Sequence, residues 1–155
     1  MILRLNFEVG DKSECVKAVV TTKYSLGSVT CSPHYLPFMS LVFTCVVCIN
    51  ILQYIDHPYL ALKELLRVST NKVVVVCPHK YGAKIKGEYR QHRSVFNKKW
   101  FGVAVANLNF LVDANYSSFL FWPNQTFPLF RVPYQITVKM SRIPLPMATQ
   151  QVGYG

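Results

Sequence analysis

A chain of 155 residues has room for one hydrophobic core and not for two. Apolar side chains at 51% against 15% charged exclude a polar, unfolded chain. The formal charge of +10 makes an acidic protein, nucleic acid or phosphorylated substrate a natural partner, although a basic surface also serves solubility alone.

Met1 leads straight into Ile-Leu-Arg-Leu, so no secretory leader is expected. The longest apolar stretch, Leu41 to Leu52, is broken by Thr44 and Asn50 and is too short to cross a bilayer as a helix. A soluble, cytoplasmic protein with no membrane partner is the expectation. Five cysteines, Cys15, Cys31, Cys45, Cys48 and Cys77, do not form a secreted disulfide pattern.

Leu3 to Phe7 alternates like a strand and runs into Glu8-Val-Gly-Asp-Lys-Ser, a loop around Gly10. Ala18-Val-Val-Thr-Thr and Ser28-Val-Thr-Cys are second and third strand candidates, the latter closed by Pro33. Phe43 to Ile49 is nearly continuous in apolar residues, as in a strand covered on both faces. Cys45 and Cys48 lie within it. Residues three apart on a strand face opposite ways, so they are read as core cysteines and no metal site is expected.

Asp56-His57-Pro58 reads as a helix start, and Leu60, Leu62, Leu65, Leu66 and Val68 recur at helical spacing as its buried side. Lys63, Glu64 and Arg67 fall between them, and Lys63 and Glu64 read as a solvated face. Asn71 to Pro78 is another buried strand, which completes a βαβ unit. His79 to Arg93 has no apolar period and reads as a long basic loop. Asn97 caps a second helix running to about Asn107. Asn109–Phe121 and Tyr134–Met140 are the last strands, joined as a hairpin through the Pro- and aromatic-rich 122–133 segment. Alternating strands and helices imply one α/β domain over 1–144 with a mostly parallel sheet, and a loosely ordered tail over 145–155.

In the order Asn50-Ile-Leu-Gln-Tyr54-Ile-Asp-His-Pro58 followed by Leu-Ala-Leu-Lys-Glu-Leu-Leu-Arg, the chain resembles the class I S-adenosylmethionine-dependent methyltransferases. Pro33-His-Tyr-Leu-Pro-Phe38 is similar to the family's Leu-Pro-Phe segment. Pro78 and Phe96-Asn-Lys-Lys-Trp-Phe also fit, so the likeness spans Leu3 to Arg142. The resemblance implies a Rossmann-like sheet with trimmed helices in the N-terminal half. It also implies that the cofactor lies beyond the carboxyl ends of the strands.

On this resemblance Glu8, Gly10, Lys23, Ser32 and Asn50 occupy cofactor-binding positions, but the family pattern is degraded. Glu8 stands for the first glycine of the loop, Lys23 for the acid that binds the ribose hydroxyls, and Ser32 for an acid near the adenine. A lysine has only donor hydrogens and cannot accept from a ribose. Weak or lost S-adenosylmethionine binding follows.

Asn50 is also the candidate catalytic contact, with His92 as a candidate base. His79, Tyr81, Lys84, Lys86, Arg90 and Arg93 are candidate substrate-binding residues. Their mixture of cations and aromatics suits phosphate contacts and base stacking, so RNA or another polyanion could engage the 79–99 loop. There is no Walker loop, zinc-ligand spacing or Gly-x-Ser-x-Gly elbow. Three functions remain open: a methyltransferase of unspecified acceptor, a non-catalytic protein of the same fold acting as a binding or partner subunit, and a basic RNA-binding module.

Overall fold

The computed structural model describes residues 1–7, 16–21, 26–79, 94, 96–121 and 130–144. Their elements are β1 (Ile2–Phe7), β2 (Val16–Thr21), β3 (Leu26–Cys31), β4 (Phe43–Ile49), a 3-10 turn (Leu52–Tyr54), α1 (Pro58–Val68), β5 (Ser69–Pro78), α2 (Lys98–Val105), β6 (Phe110–Phe121) and β7 (Phe130–Arg142). Among the described residues the strands form one seven-stranded mixed sheet in the order β3-β2-β1-β4-β5-β7-β6.

Only β1–β4 and β4–β5 pair in parallel; β1–β2, β2–β3, β5–β7 and β6–β7 are antiparallel. The expectation of a mostly parallel sheet is therefore corrected. The physical reason is connection length. Eight residues separate Phe7 from Val16 and four separate Thr21 from Leu26, whereas a parallel return needs a dozen or more. Both connections therefore serve antiparallel neighbours. At the other end, β6 and β7 pair antiparallel from Phe110↔Arg142 to Phe121↔Phe130, as the two late strand candidates implied.

Register aligns the core in rows. Leu3, Val46, Val73 and Met140 stand side by side, and Leu5, Cys48, Val75 and Val138 form the next row. All eight are buried. On α1, Ala61, Leu62, Leu65 and Leu66 close over them, and on α2 Phe101, Ala104 and Val105 do the same, all in one cluster. Each large aliphatic side chain buried in this way contributes about 1.5–3 kcal/mol. Leu60 lies off this stripe and is exposed, contrary to the helical reading. Segment 32–42 carries the chain from the end of β3 to the start of β4 on the same side, with Leu36 buried and Phe38 edge-on against Phe43.

The opposite face of the sheet has a different character. Val47, Ile49, Val74 and Val76 alternate with the buried rows and are only half-buried. Among the described residues no helix covers them. The reading of β4 as a strand covered on both faces is thus corrected: its apolar run reflects one core face and one partly open one. No helix among the described residues is long and apolar enough to cross a membrane.

Candidate functional site

At the adjacent parallel strands β1 and β4 the strand order reverses, continuing to β2 on one side and to β5, by way of α1, on the other. In open α/β sheets, ligands bind beyond the carboxyl ends at such a switch point. Three predicted site residues are described on this rim: Ser32 after β3, Asn50 after β4 and His79 after β5.

Asn50 has φ 52°, in the left-handed region, and donates its backbone N–H to the Val76 carbonyl at 2.8 Å. Asparagine tolerates this conformation better than most residues. It adds one bond to the parallel ladder, turns the chain off the sheet and leaves its side chain exposed on the rim. The chain then buries Ile51, Leu52 and Gln53 in quick succession.

Gln53 was not singled out by sequence reasoning. Its side chain is buried, and among the described residues neither Oε1 nor Nε2 has a hydrogen-bond partner. Its backbone carbonyl accepts from the Ser94 N–H at 3.3 Å. A glutamine in the midst of Ile-Leu-x-Tyr-Ile was the available signal.

His79 donates its backbone N–H to Tyr134 O at 2.8 Å, and its ring stands edge-on to Tyr116 with centroids 5.4 Å apart. Burial lowers its pKa below the ordinary histidine value, opposed by a hydrogen bond with the Pro133 backbone. The ring is therefore neutral at physiological pH. His79 also bridges to Phe96 at the entrance to α2, where the Asn97 side chain accepts from the Trp100 N–H at 2.8 Å as the helix cap.

Asn50 and His79 end neighbouring strands, whereas Ser32 lies on the far side of β1 and β2. The Ser32 hydroxyl accepts from the His34 N–H at 3.3 Å and its carbonyl accepts from the Tyr35 N–H at 3.2 Å. It is thus engaged in its own turn. Glu8, Gly10, Lys23, Tyr81, Lys84, Lys86, Arg90, His92 and Arg93 lie outside the described residues.

The direction of β2 bears directly on the cofactor. Thr21, its last residue, pairs with Ile2, and Val16, its first, pairs with Phe7. The carboxyl end of β2 therefore opens at the rim opposite the ends of β1 and β4. The described part of β2 thus brings its first residue, not its last, to the rim of Asn50 and His79. Among its described residues, Val16–Thr21, β2 carries no carboxylate to that rim that could accept from a ribose.

A further correction concerns Glu64, which is not on a solvated helix face but is engaged with Arg67. Glu64 Oε2 accepts from the Leu36 N–H at 3.0 Å, and Arg67 donates to Glu64, to the Phe38 and Leu36 carbonyls and to Ser40 Oγ. The pair fastens segment 36–40 to α1. An open pocket of about 450 Å³ lined by Lys63, Leu66, Arg67, Leu108, Phe110 and Arg142 lies near the starts of β5 and β6, away from the switch point.

Cys48 and Cys77 are core thiols: burial pushes Cys48 up to about 12 and Cys77 well above the usual thiol value. Among the described residues no three His, Cys, Asp or Glu side chains gather as a metal site.

No protein-family model and no curated protein matches the chain. Solved structures do. An S-adenosylmethionine-dependent methyltransferase of Thermotoga maritima matches with a TM-score of 0.53 at 15% identity over 72% of this chain and 61% of that one. The YcgJ protein of Bacillus subtilis matches with a TM-score of 0.55 at 9% identity, over 72% and 69%. An S-adenosylmethionine-dependent methyltransferase of Methanosarcina mazei matches with a TM-score of 0.50 at 11% identity, over 72% and 65%. The likeness shows a shared fold, and the chain spans between about three fifths and two thirds of the length of these proteins.

Proposed function

We propose that this chain is a methyltransferase-like protein that keeps the Rossmann-like central strands and acts as a binding or partner subunit, not as a transferase. The observation that carries the reading is the antiparallel course of β2, which takes the end of that strand to the opposite rim. Binding S-adenosylmethionine requires its charged and polar parts to be held together, and a lost charge-assisted hydrogen bond costs about 1.5–3 kcal/mol. Two such losses weaken affinity by a few powers of ten. The bound cofactor would supply an electrophilic methyl group. Among the described residues Asn50, directly after β4, is the predicted catalytic contact at the rim where that group would lie.

Titration calorimetry with S-adenosylmethionine and with its demethylated product tests the reading. No heat at millimolar ligand is the expected result, and Lys23→Asp should not restore binding. Sub-micromolar affinity would overturn it. A second reading, a transferase of weak cofactor affinity, draws on the exposed Asn50 amide and the neutral His79 on adjacent strand ends. Cofactor-dependent labelling of tRNA, metabolites or protein extracts would establish it. The basic RNA-binding reading draws on the 79–99 loop. Of its cations, Lys98 and Lys99 are described and both are exposed.

A further inference from the structure

The half-buried face of the sheet carries an ordered pattern that the rim does not use. Register places Arg4, Val47, Val74 and Lys139 side by side across β1, β4, β5 and β7. Ile2, Cys45, Lys72 and Ser141 form the row toward the amino rim, and Ile49, Val76 and Thr137 the row toward the carboxyl rim. The valines and Ile49 are half-buried, while Arg4, Lys72 and Lys139 are exposed. The result is an aliphatic strip two strands wide with Arg4 on one flank, Lys139 on the other and Lys72 at its foot. Asp113 is the register partner of Lys139 on β6 and offsets part of the charge on that side.

We propose that this strip docks an amphipathic helix of a partner protein, apolar on its inner stripe and acidic on both flanks. The inference rests on the binding-subunit reading and names the chemistry of the partner. Dimensions agree: Arg4 and Lys139 are three strand spacings apart, about 14 Å, and a helix with its side chains is about 10–12 Å across. Acids on both sides of such a helix come within reach of both cations while its apolar stripe covers Val47, Ile49, Val74 and Val76.

Charge selects among occupants. A second copy of this chain, at +10 with seven acids in all, would bring like charges together. The 145–155 tail contains no acid to answer the flanking cations. Nucleic acid is disfavoured because the strip offers aliphatic side chains and no aromatic rings on which bases stack. A membrane is disfavoured because short β-branched side chains sit between longer Arg and Lys stems, with no Trp, Phe or Leu in the strip to enter the acyl region.

The test uses the full chain and a labelled peptide of Leu and Glu, about five helical turns long with Leu at helical spacing, read by fluorescence anisotropy. Its control carries Lys in place of Glu. Saturable binding of the acidic peptide alone is expected. Simultaneous Arg4→Glu, Lys72→Glu and Lys139→Glu should weaken it about ten-fold or more, as each exposed ion pair contributes up to about five-fold. Val74→Thr, close in volume and mild in its effect on folding, should weaken it a few-fold with an unchanged circular dichroism spectrum.

No saturable binding, equal binding of both peptides, or indifference to all these variants would overturn the proposal. So would preferential uptake by anionic phosphatidylserine vesicles or by RNA through the same three cations, or a dimer in sedimentation equilibrium that the triple variant dissociates. No cofactor enters the assay. Tight S-adenosylmethionine binding would sink the proposed function and leave this result readable by itself.

Discussion

Arg67 donates from Nε to Glu64 Oε1 at 2.7 Å, one turn back along α1, and the two side chains together hold backbone some thirty residues earlier in the chain. The same helix end accepts Leu41 N–H at the Arg67 carbonyl and Val42 N–H at the Val68 carbonyl, at 2.9 and 3.0 Å. Leu41 has φ 60°, a left-handed conformation costly for leucine, and these bonds hold it there. Glu64→Gln and Arg67→Ala should each cost about 1–2 kcal/mol in denaturant unfolding. A double-mutant cycle should show them strongly non-additive.

The pH dependence of that clasp has a definite sign. Hydrogen bonding from Arg67, more than the Leu36 N–H and the charge of Arg67, lowers the Glu64 pKa, with burial opposing. A depressed carboxyl pKa stabilises the fold above the unfolded value and the contribution is lost as pH falls through the folded value. Wild type and Glu64→Gln should therefore differ in unfolding midpoint at neutral pH, and the difference should shrink as acid is added below the ordinary carboxylate range.

Asn50 separates backbone from chemistry. Its left-handed φ means that Asn50→Ala should lose about 1 kcal/mol, whereas Asn50→Gly should keep or slightly raise the melting temperature. If the amide contacts a ligand, both variants should lose binding equally while only the alanine loses stability. Glycine binding as well as wild type would assign Asn50 to the turn alone.

Gln53 should be a stability reserve. Both polar atoms of its side chain are buried without partners among the described residues, so Gln53→Met, similar in length and apolar, should raise unfolding free energy by about 1–2 kcal/mol. A loss of stability on that substitution would show that the amide is satisfied in solution.

The buried thiols predict alkaline behaviour. Cys48 is held up to about 12 by burial, with a Leu52 backbone hydrogen bond opposing, and Cys77 is raised by burial and by Cys48. A raised thiol pKa stabilises the fold below the unfolded value near 9 and is lost as pH rises through the folded one. Denaturant midpoints should fall progressively from about pH 9 upward, and less steeply in Cys48→Ala. Under native conditions iodoacetamide should modify the half-buried Cys31 before either of these two.

Most element positions were legible in the sequence: Phe43–Ile49 was placed to the residue, α1 began at Pro58 and α2 was capped by Asn97. The site was legible only in part. Asn50 and His79 do end neighbouring strands, because a strand followed by a helix and a parallel strand returns the chain to the same rim. Ser32 lies off this pair, Lys23 lies outside the described residues, and β2 runs antiparallel to β1. Connection length held that information, since the gap after Phe7 was too short for a crossover under either placement of the second strand. Gln53 escaped notice because an amide among apolar residues signals burial only once its neighbours are known.

Local chemistry determined what the sequence could determine by itself: period-two and helical patterns, proline and asparagine at helix starts, and a basic surface. All of these act over a few residues. Strand direction, the clasp between Glu64, Arg67 and segment 36–40, and the one-sided covering of the sheet were decided by the tertiary structure. Each joins residues far apart in the chain, where burial of one face and satisfaction of backbone hydrogen bonds outweigh any local preference. Val47 and Val74 make the point. They have the same apolar character as Val46 and Val73 beside them, and only the placement of the helices leaves one pair buried and the other partly open.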